Sequence, residues 1–281
     1  MLIDAHHHLW HYNETDYPWI SEGMTELRRD FLIPDLEAVM RGAGVDGTVV
    51  VQARQTLQET EWLLNLANTN QQVLGVVGWV PLIDPDVENT LGRFASNPRL
   101  RAARHVLHDE SDDFYMLRED FNRGVGLLRG FGLAYDILIF ERHLPQTLEF
   151  VDRHPEQVFI VDHIAKPKIK ESVISPWKEN IAELARRENV YCKVSGMATE
   201  ADWNRWTPEQ LRPYFDTVLA AFGPKRLMFG SDWPVLTLAA TYRRWVDTSL
   251  TFMSELSAAD QQDICQNTAI RAYRLQIPGG R

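Results

Sequence analysis

Short runs of apolar and β-branched residues recur along the chain, separated by longer segments of mixed polarity. Eight runs predict β-strands, at residues 2–9, 47–53, 73–80, 100–107, 132–137, 158–162, 190–194 and 226–229. Most of these runs are too apolar for a strand with one face in water. Such runs are typical of parallel strands that are buried on both faces.

Segments with helical periodicity lie between the runs and predict helices at 35–41, 57–69, 145–154, 177–188, 208–222 and 257–273. The alternation of strand and helix predicts an α/β fold, a (β/α)₈ TIM-type barrel that forms a single domain over 1–281. A doubly wound open sheet is the alternative, but no glycine-rich phosphate motif follows the first strand. The long segment 11–31 carries Tyr12, Tyr17 and Trp19 and is expected to cover the barrel mouth.

Charge and composition exclude several classes of protein. The 281 residues carry a formal net charge of −10, which argues against a nucleic-acid or polybasic membrane surface. No apolar stretch reaches the roughly 18 residues of a membrane span. Two cysteines, Cys192 and Cys265, give no disulfide framework, and the N-terminus does not resemble a signal peptide. We therefore expect a cytoplasmic protein, and a homo-oligomer remains open.

Polar residues stand at nearly every predicted strand end, where parallel barrels place their reacting groups. In chain order these are His6 and His8, Gln52, Trp79, Arg104 and His105, Tyr135 and Asp136, Asp162 and His163, Lys193 and Ser195, and Asp232. Alternate side chains of a strand point to opposite faces, so His6 and His8 should share a face and His7 should oppose them. Two imidazoles arranged in this way can bind a divalent metal or a polar substrate.

Several of these residues also allow a purely structural interpretation. Asp136 could cap a helix, and His105 could be a core histidine with its hydrogen bonds satisfied. Lys193 could be the buried ion-pair partner of Asp162 or Asp136. Ser195 is predicted to be a turn residue, because Val-Ser-Gly lacks the Gly-x-Ser-x-Gly nucleophile elbow of many serine hydrolases.

The joint pattern of His-x-His on the first strand, histidine on the sixth and aspartate on the eighth resembles the amidohydrolase superfamily. Further segments are similar to its lactonase branch, which includes sugar-acid lactonases and the related pyrone-dicarboxylate lactonases. The resemblance extends from Ile3 to about Tyr273. The segments that carry it are Leu9-Trp10, Tyr17-Pro-Trp-Ile20, Leu27-Arg-Arg-Asp-Phe31, Arg104-His-Val-Leu107, Asp162-His-Ile-Ala-Lys-Pro167 and Gly230-Ser-Asp-Trp-Pro234.

This resemblance implies roles for four side chains. Asp232 would deprotonate the attacking water, and His163 would face the substrate. His6, His8 and Asp232 would hold one divalent metal, for which zinc is the expected ion. Catalysis without a metal also stays open, because the lactonase branch tolerates it.

Two departures from the superfamily pattern argue against a binuclear metal centre. Arg104 and His105 stand where many members have a bridging lysine or glutamate. Tyr135 and Asp136 stand where many members have a further metal-binding histidine.

The implied activity is hydrolysis of a sugar-acid lactone, such as L-fucono-, D-arabinono-, galactono- or rhamnono-lactone, by water that Asp232 activates. Arg104 is expected to donate to the developing oxyanion. The side chains expected to contact the small-molecule lactone are Trp10, Gln52, Trp79, His105, Tyr135, Lys193 and Trp233.

Three alternatives to a sugar-acid lactonase follow from the same pattern. A metal-dependent decarboxylase of the superfamily would expect a metal-binding histidine on the fifth strand, which this chain lacks. A pyrone-dicarboxylate lactonase would need several cationic side chains to hold two substrate carboxylates, and the obvious ones at the strand ends are Arg104 and Lys193. A non-catalytic sugar-binding barrel would have no need of a positioned base such as Asp232.

Overall fold

Eight strands form one parallel sheet in chain order in the computed structural model, which describes residues 1–277. Each strand overlaps one predicted run, so the predicted strands are confirmed. The strands are β1 Ile3–His7, β2 Gly47–Val51, β3 Val73–Gly78, β4 Leu100–Val106, β5 Ala134–Leu138, β6 Phe159–Val161, β7 Val190–Val194 and β8 Leu227–Phe229.

Backbone hydrogen bonds between β1 and the segment after β8 close the sheet into a barrel. The His8 N–H donates to the Trp233 carbonyl at 2.7 Å, and the Asp232 N–H donates to the His6 carbonyl at 2.8 Å. The predicted TIM-type barrel is therefore confirmed, and the open doubly wound sheet is excluded. The same bonds bring the residues around Asp232 beside the histidines of β1.

Helices surround the barrel, and all six predicted helical segments contain helix. The helices are α1 Ile33–Ala43, α2 Leu57–Thr69, α3 Val87–Ala95, α4 Glu119–Leu128, α5 Leu144–Asp152, α6 Trp177–Leu184, α7 Pro208–Phe222, α8 Tyr242–Met253, α9 Ala258–Gln262 and α10 Thr268–Tyr273. A π-helical turn, Asp263–Asn267, joins α9 to α10 within the predicted segment 257–273. The sequence patterns missed α3, α4 and α8. In α3 only Val87, Leu91 and Phe94 are buried, which leaves a thin apolar stripe.

Two apolar layers stabilise the barrel, one between the sheet and the helices and one inside the sheet. The inner layer includes Ile3, Ala5 and Met228 from the strands. Tyr273 of α10 belongs to this layer, and its hydroxyl donates to Asp136 at 2.7 Å. The C-terminal helix thus reaches the charged groups inside the barrel.

The long segment after β1 covers the barrel mouth as predicted. Trp10 and Phe31 exchange two backbone hydrogen bonds of 3.0 Å, which tie the ends of the segment together. Trp19, between them, lies against the cavity at the carboxyl ends of the strands. Over residues 1–277, none of the helices combines the length and the apolar content that crossing a bilayer requires.

Candidate active site

A cavity of about 270 Å³ lies at the carboxyl ends of the strands. It brings together four of the predicted site residues, namely His8, Arg104, His163 and Asp232. Its other lining residues are Trp19, Ala53, Val106, His108, Asp109, Leu138, Lys166 and Val235. A larger depression of about 600 Å³ shares only Lys166 with this cavity, and no histidine is among the described residues that line it.

His6, His8 and Asp232 form a triangle that fits a metal ion. The two Nε2 atoms are 3.2 Å apart, and they lie 3.8 and 3.4 Å from Asp232 Oδ1. Nitrogen and oxygen ligands of a tetrahedral zinc, bound at about 2.0–2.1 Å, are separated by roughly 3.3 Å. His8 Nδ1 lies 2.8 Å from the Val51 carbonyl and must donate there, which directs Nε2 toward the other two groups as the metal-binding nitrogen.

A β-bulge helps to turn His6 toward the barrel interior. The register of β1 on β2 shifts between Asp4 and His7, and His6 and His8 point inward. His7 points the other way and meets Thr48 Oγ1 at 3.0 Å, as strand alternation predicts. The shared face of His6 and His8 was therefore predictable, whereas the bulge was not.

Four buried charged side chains form a cluster next to the His6 ring. Lys193 Nζ lies 2.5 Å from Asp136 and 2.8 Å from Asp162, and Arg104 Nη1 lies 2.9 Å from Asp162. His6 Nδ1 faces this cluster, 3.3 Å from Asp162 Oδ1 and 3.0 Å from Lys193 Nζ. Burial and the Lys193 ammonium hold the pKa of His6 well below its ordinary value, so the ring is neutral and able to bind a metal.

Asp232 is ionised at neutral pH although it is buried. Burial by itself would raise its pKa, but His163, His8 and Lys166 outweigh this effect and lower the pKa below its usual value. Burial lowers the pKa of His163 to about 3. An ionised carboxylate next to neutral imidazoles can accept a proton from water.

Asp4 holds the segment that carries Asp232, a role that sequence patterns did not reveal. Its carboxylate accepts hydrogen bonds from the Ser231 N–H and hydroxyl, at 2.8 and 2.5 Å, and from the Tyr242 hydroxyl at 2.8 Å. Burial raises the pKa of Asp4 to about 6. Asp232 itself has a φ of +60°, which places it in the left-handed region.

His163 begins a second left-handed segment. Four consecutive residues, His163, Ile164, Ala165 and Lys166, have φ values of +52°, +49°, +61° and +46°. We call this segment the left-handed turn. Non-glycine residues pay roughly 1–2 kcal/mol each for this conformation, so the rest of the fold must offset the cost.

Ser195 and Gly196 hold the His163 ring. Ser195 Oγ lies 2.9 Å from His163 Nδ1, so the predicted turn residue orients the imidazole. Gly196 has a φ of +66°, and a Cβ at this position would approach the His163 ring to 2.7 Å. The ring therefore packs directly against the backbone of residue 196.

The seven predicted substrate contacts do not line the cavity. Tyr135 packs against Phe150 and Phe159 on the helix side of the sheet and is fully buried. Lys193 is buried in its ion pairs below His6, which favours the structural interpretation. Gln52 is also fully buried.

The other four predicted contacts are likewise held within the protein. His105 lies 2.6 Å from Glu110, accepts the indole N–H of Trp79 at 3.3 Å and stacks on Tyr115. Trp10 and Trp233 both pack edge-on against Phe31, under the segment that covers the mouth.

Strand geometry explains why His105 and Tyr135 lie away from the cavity. Of two consecutive strand residues only one faces the barrel interior, so Arg104 excludes His105 and Asp136 excludes Tyr135. The sequence analysis had assigned both Arg104 and His105 to the site, and from the second pair it had assigned Tyr135.

Eight lining residues were not assigned to the site by the sequence analysis, and four of them carry a polar group: Trp19, His108, Asp109 and Lys166. His108 Nε2 lies 3.2 Å from Asp109 Oδ1, and burial lowers the pKa of His108. Lys166 Nζ lies 3.1 Å from Glu200. Lys166 was visible within the Asp162–Pro167 motif, and His108 directly follows the fourth strand.

Comparisons with known proteins agree with the barrel fold. A protein-family model described as amidohydrolase matches residues 3–275. An L-fucono-1,5-lactonase of Burkholderia multivorans is 39% identical to this chain. An L-fucono-1,5-lactonase of Burkholderia ambifaria is 35% identical. Each alignment covers 99% of this chain and 97% of the relative. The crystal structure of a Burkholderia multivorans amidohydrolase with bound zinc is 38% identical, covers 98% of this chain and 100% of its own, and superposes with a TM-score of 0.95.

Proposed function

Because this chain belongs to the amidohydrolase family, we propose that it is a hydrolase that opens the lactone ring of a sugar acid, with L-fucono-1,5-lactone as the first candidate substrate. The single observation that carries the proposal is the position of the Asp232 carboxylate, which lines the cavity and lies within 4 Å of the imidazoles of His6, His8 and His163. The two Burkholderia L-fucono-1,5-lactonases support the choice of substrate.

The cavity supplies a proton acceptor and an oxyanion donor for lactone hydrolysis. Asp232 takes a proton from water as the water oxygen attacks the lactone carbonyl. Arg104, on the cavity wall, donates to the resulting oxyanion, an interaction typically worth about 3–4 kcal/mol per donor. The C–O bond to the ring oxygen then breaks, and Asp232 returns its proton to the departing alkoxide.

The residues present also fit a resident metal ion. His6, His8 and Asp232 would hold zinc, which when bound would polarise the lactone carbonyl and lower the pKa of the water. The bond from His8 Nδ1 to Val51 and the contact of His6 Nδ1 with Asp162 orient both imidazoles for this purpose.

The charges of the cavity favour a neutral polyhydroxylated lactone over a dicarboxylate. Arg104 is paired with Asp162, and Lys166 is paired with Glu200, so neither cation needs a substrate carboxylate. Asp109 adds a negative charge to the wall and can accept hydrogen bonds from sugar hydroxyls. Three apolar side chains, Val106, Leu138 and Val235, offer a surface to the carbon face of a ring.

We also propose that residues 1–281 act as one barrel domain, and that the protein works in the cytoplasm on a small-molecule substrate. The eight strands, which span residues 3–229 of one sheet, support the first proposal. The free thiols of Cys192 and Cys265 support a reducing compartment.

A pH-indicator assay with a panel of aldonolactones tests the activity. We expect the wild type to release acid from at least one lactone and Asp232→Asn to lose about 10²–10⁴-fold in kcat, with an unchanged circular dichroism spectrum. Asp247→Asn, the same chemical change on the exposed surface of α8, should keep full activity.

Two other outcomes would contradict this function. Lactone binding without acid release would favour a binding protein. Release of carbon dioxide from an aromatic acid, without lactone hydrolysis, would favour a decarboxylase.

A further inference from the structure

The left-handed turn, residues 163–166, contributes two residues to the cavity wall from a backbone with four consecutive positive φ values. His163 and Lys166, its first and last residues, both line the cavity, whereas Ile164 and Ala165 are fully buried. L-residues avoid consecutive left-handed conformations, and a β-branched residue such as Ile164 is especially disfavoured there. Contacts from outside must therefore hold this segment.

The indole of Trp177 provides such a contact. Trp177 is the first residue of α6, is 1% exposed, and donates from Nε1 to the Ile164 carbonyl at 2.8 Å. This carbonyl belongs to the central peptide group of the turn, which also contains the Ala165 nitrogen. The bond therefore fixes a peptide plane between His163 and Lys166, although Trp177 itself does not line the cavity.

The other restraints are two side-chain contacts at the ends of the turn and backbone hydrogen bonds, one of them within the turn and one from the Ile164 N–H to the Cys192 sulfur. Ser195 bonds the His163 ring, and Glu200 pairs with the Lys166 ammonium. Inside the turn, the Lys166 N–H donates to the His163 carbonyl at 2.8 Å. A right-handed or extended conformation at 164–165 would move His163 and Lys166 apart while leaving each side chain free to find its partner again.

We propose that Trp177 is a positioning residue, which holds the Ile164 carbonyl so that the left-handed turn presents His163 and Lys166 to the substrate together. This proposal rests on the proposed function of the cavity. It predicts that the loss of the indole N–H changes the geometry of the turn more than the stability of the fold. It also predicts that a residue at ease in the left-handed region makes the indole bond dispensable.

Trp177→Phe tests the first part, because it keeps an aromatic ring and removes the donor. We expect kcat to fall about tenfold, as for a small misplacement of reacting groups, with KM changed by less than about threefold. Zinc affinity, measured by competition with a chromogenic chelator, should be unchanged, because His6, His8 and Asp232 lie on other segments. The Lys166 amide should exchange its hydrogen faster than in the wild type.

Ala165→Gly tests the second part by rescue. Glycine adopts a φ of +61° without a steric penalty, and the substitution removes one methyl group. The single variant should keep kcat within about twofold of the wild type. In the double variant, Trp177→Phe with Ala165→Gly, kcat and Lys166 amide protection should return to near wild-type levels.

Trp206→Phe is the matched control. Trp206 is 2% exposed and donates its indole N–H to the Ala239 carbonyl at 2.8 Å, away from the turn. It should lower the melting temperature about as much as Trp177→Phe does, without speeding hydrogen exchange at the Lys166 amide and without reducing kcat. If Trp177→Phe does not fold, benzothienylalanine at position 177, which replaces the N–H by sulfur at constant ring shape, removes only the donor.

Two results would overturn the proposal. One is a donor-less variant at position 177 with wild-type kcat and wild-type exchange at Lys166. The other is a loss of kcat that Ala165→Gly does not restore, because this result would indicate general packing damage. The exchange measurements keep the proposal testable even if the wild type hydrolyses no lactone, in which case the proposed function alone fails.

Discussion

The carboxyl ends of β1 and β6 both deliver histidine to the cavity, but the backbone does so in different ways. On β1, His6 and His8 follow from strand alternation with one bulge, and neither residue has a positive φ. On β6, a strand of three residues ends directly in a left-handed turn that begins with His163. Strand backbone thus sets the direction of the β1 histidines, whereas contacts from Ser195 and Trp177 hold the His163 ring and the left-handed backbone after β6.

Substitutions at the carboxyl ends of β1 and β6 should therefore impair the site in different ways. Changes on β1 should remove a ligand and leave the geometry of the rest of the site intact. Changes around the end of β6 should leave every chemical group present and misplace it.

The largest effect is expected at β1, from His8→Gln. It removes one of the three ligands that fit zinc, so zinc affinity should fall by more than about 100-fold, since losing only a hydrogen-bond partner of a ligand typically costs about 10–100-fold. Equilibrium dialysis followed by metal analysis measures this loss. His7→Gln is the control, because His7 lies on the same strand but points to Thr48. We expect it to keep zinc affinity.

Removal of the metal tests the proposed zinc site without a mutation. Chelation of the wild type should abolish lactone hydrolysis, and added zinc should restore it. Full activity after complete removal of metal would contradict the zinc assignment and establish catalysis by the protein groups alone.

A smaller effect is expected at β6, from Gly196→Ala. The new Cβ would approach the His163 ring to 2.7 Å, so we expect kcat to fall at least tenfold and stability to fall by about 1–3 kcal/mol. Gly44→Ala is the control. Gly44 has a similar φ of +73° but no atom within 4 Å of the added Cβ, so it should lose stability without losing kcat. Equal kcat values in the two variants would show that contact with His163 does not matter.

Sequence patterns predicted the barrel and the β1 histidines because periodicity depends only on neighbouring residues. They could not choose between Arg104 and His105, or between Tyr135 and Asp136, because apolar runs on both faces conceal the direction of each side chain. The partners of Asp4, Ser231 and Tyr242, are more than 220 residues away along the chain.

The left-handed turn also could not be predicted from sequence patterns. Asp-His-Ile-Ala-Lys-Pro has no glycine or asparagine, and although histidine adopts positive φ more often than most residues, nothing in the segment favours four consecutive positive φ values. Its conformation is set by Trp177 and by the space that Gly196 leaves. The motif could be identified by its resemblance to a family, but its geometry required the structure.

The smallest effect is a dependence of stability on pH, which we expect from the loop next to β1 and not from the turn after β6. Glu59 of α2 holds the loop after β2, next to β1, by accepting the Ala53 and Arg54 N–H groups at 3.0 and 2.7 Å. Burial raises the pKa of Glu59 to about 7, from 4.5. Because the folded protein favours the protonated form, its contribution to stability is complete below pH 4.5 and is lost as pH rises through 7.

Glu59→Gln keeps an acceptor oxygen and removes the titration. From pH 4.5 to pH 8, the wild type should lose stability relative to this variant by at most about 3 kcal/mol, at 1.36 kcal/mol per pKa unit. Urea unfolding of both proteins across this range measures the difference. The turn after β6 is held by a neutral indole instead, so the difference in stability between the wild type and Trp177→Phe should not change with pH over the same range. Parallel stability curves for the wild type and Glu59→Gln would mean that the loop after β2 is held as independently of pH as the turn after β6.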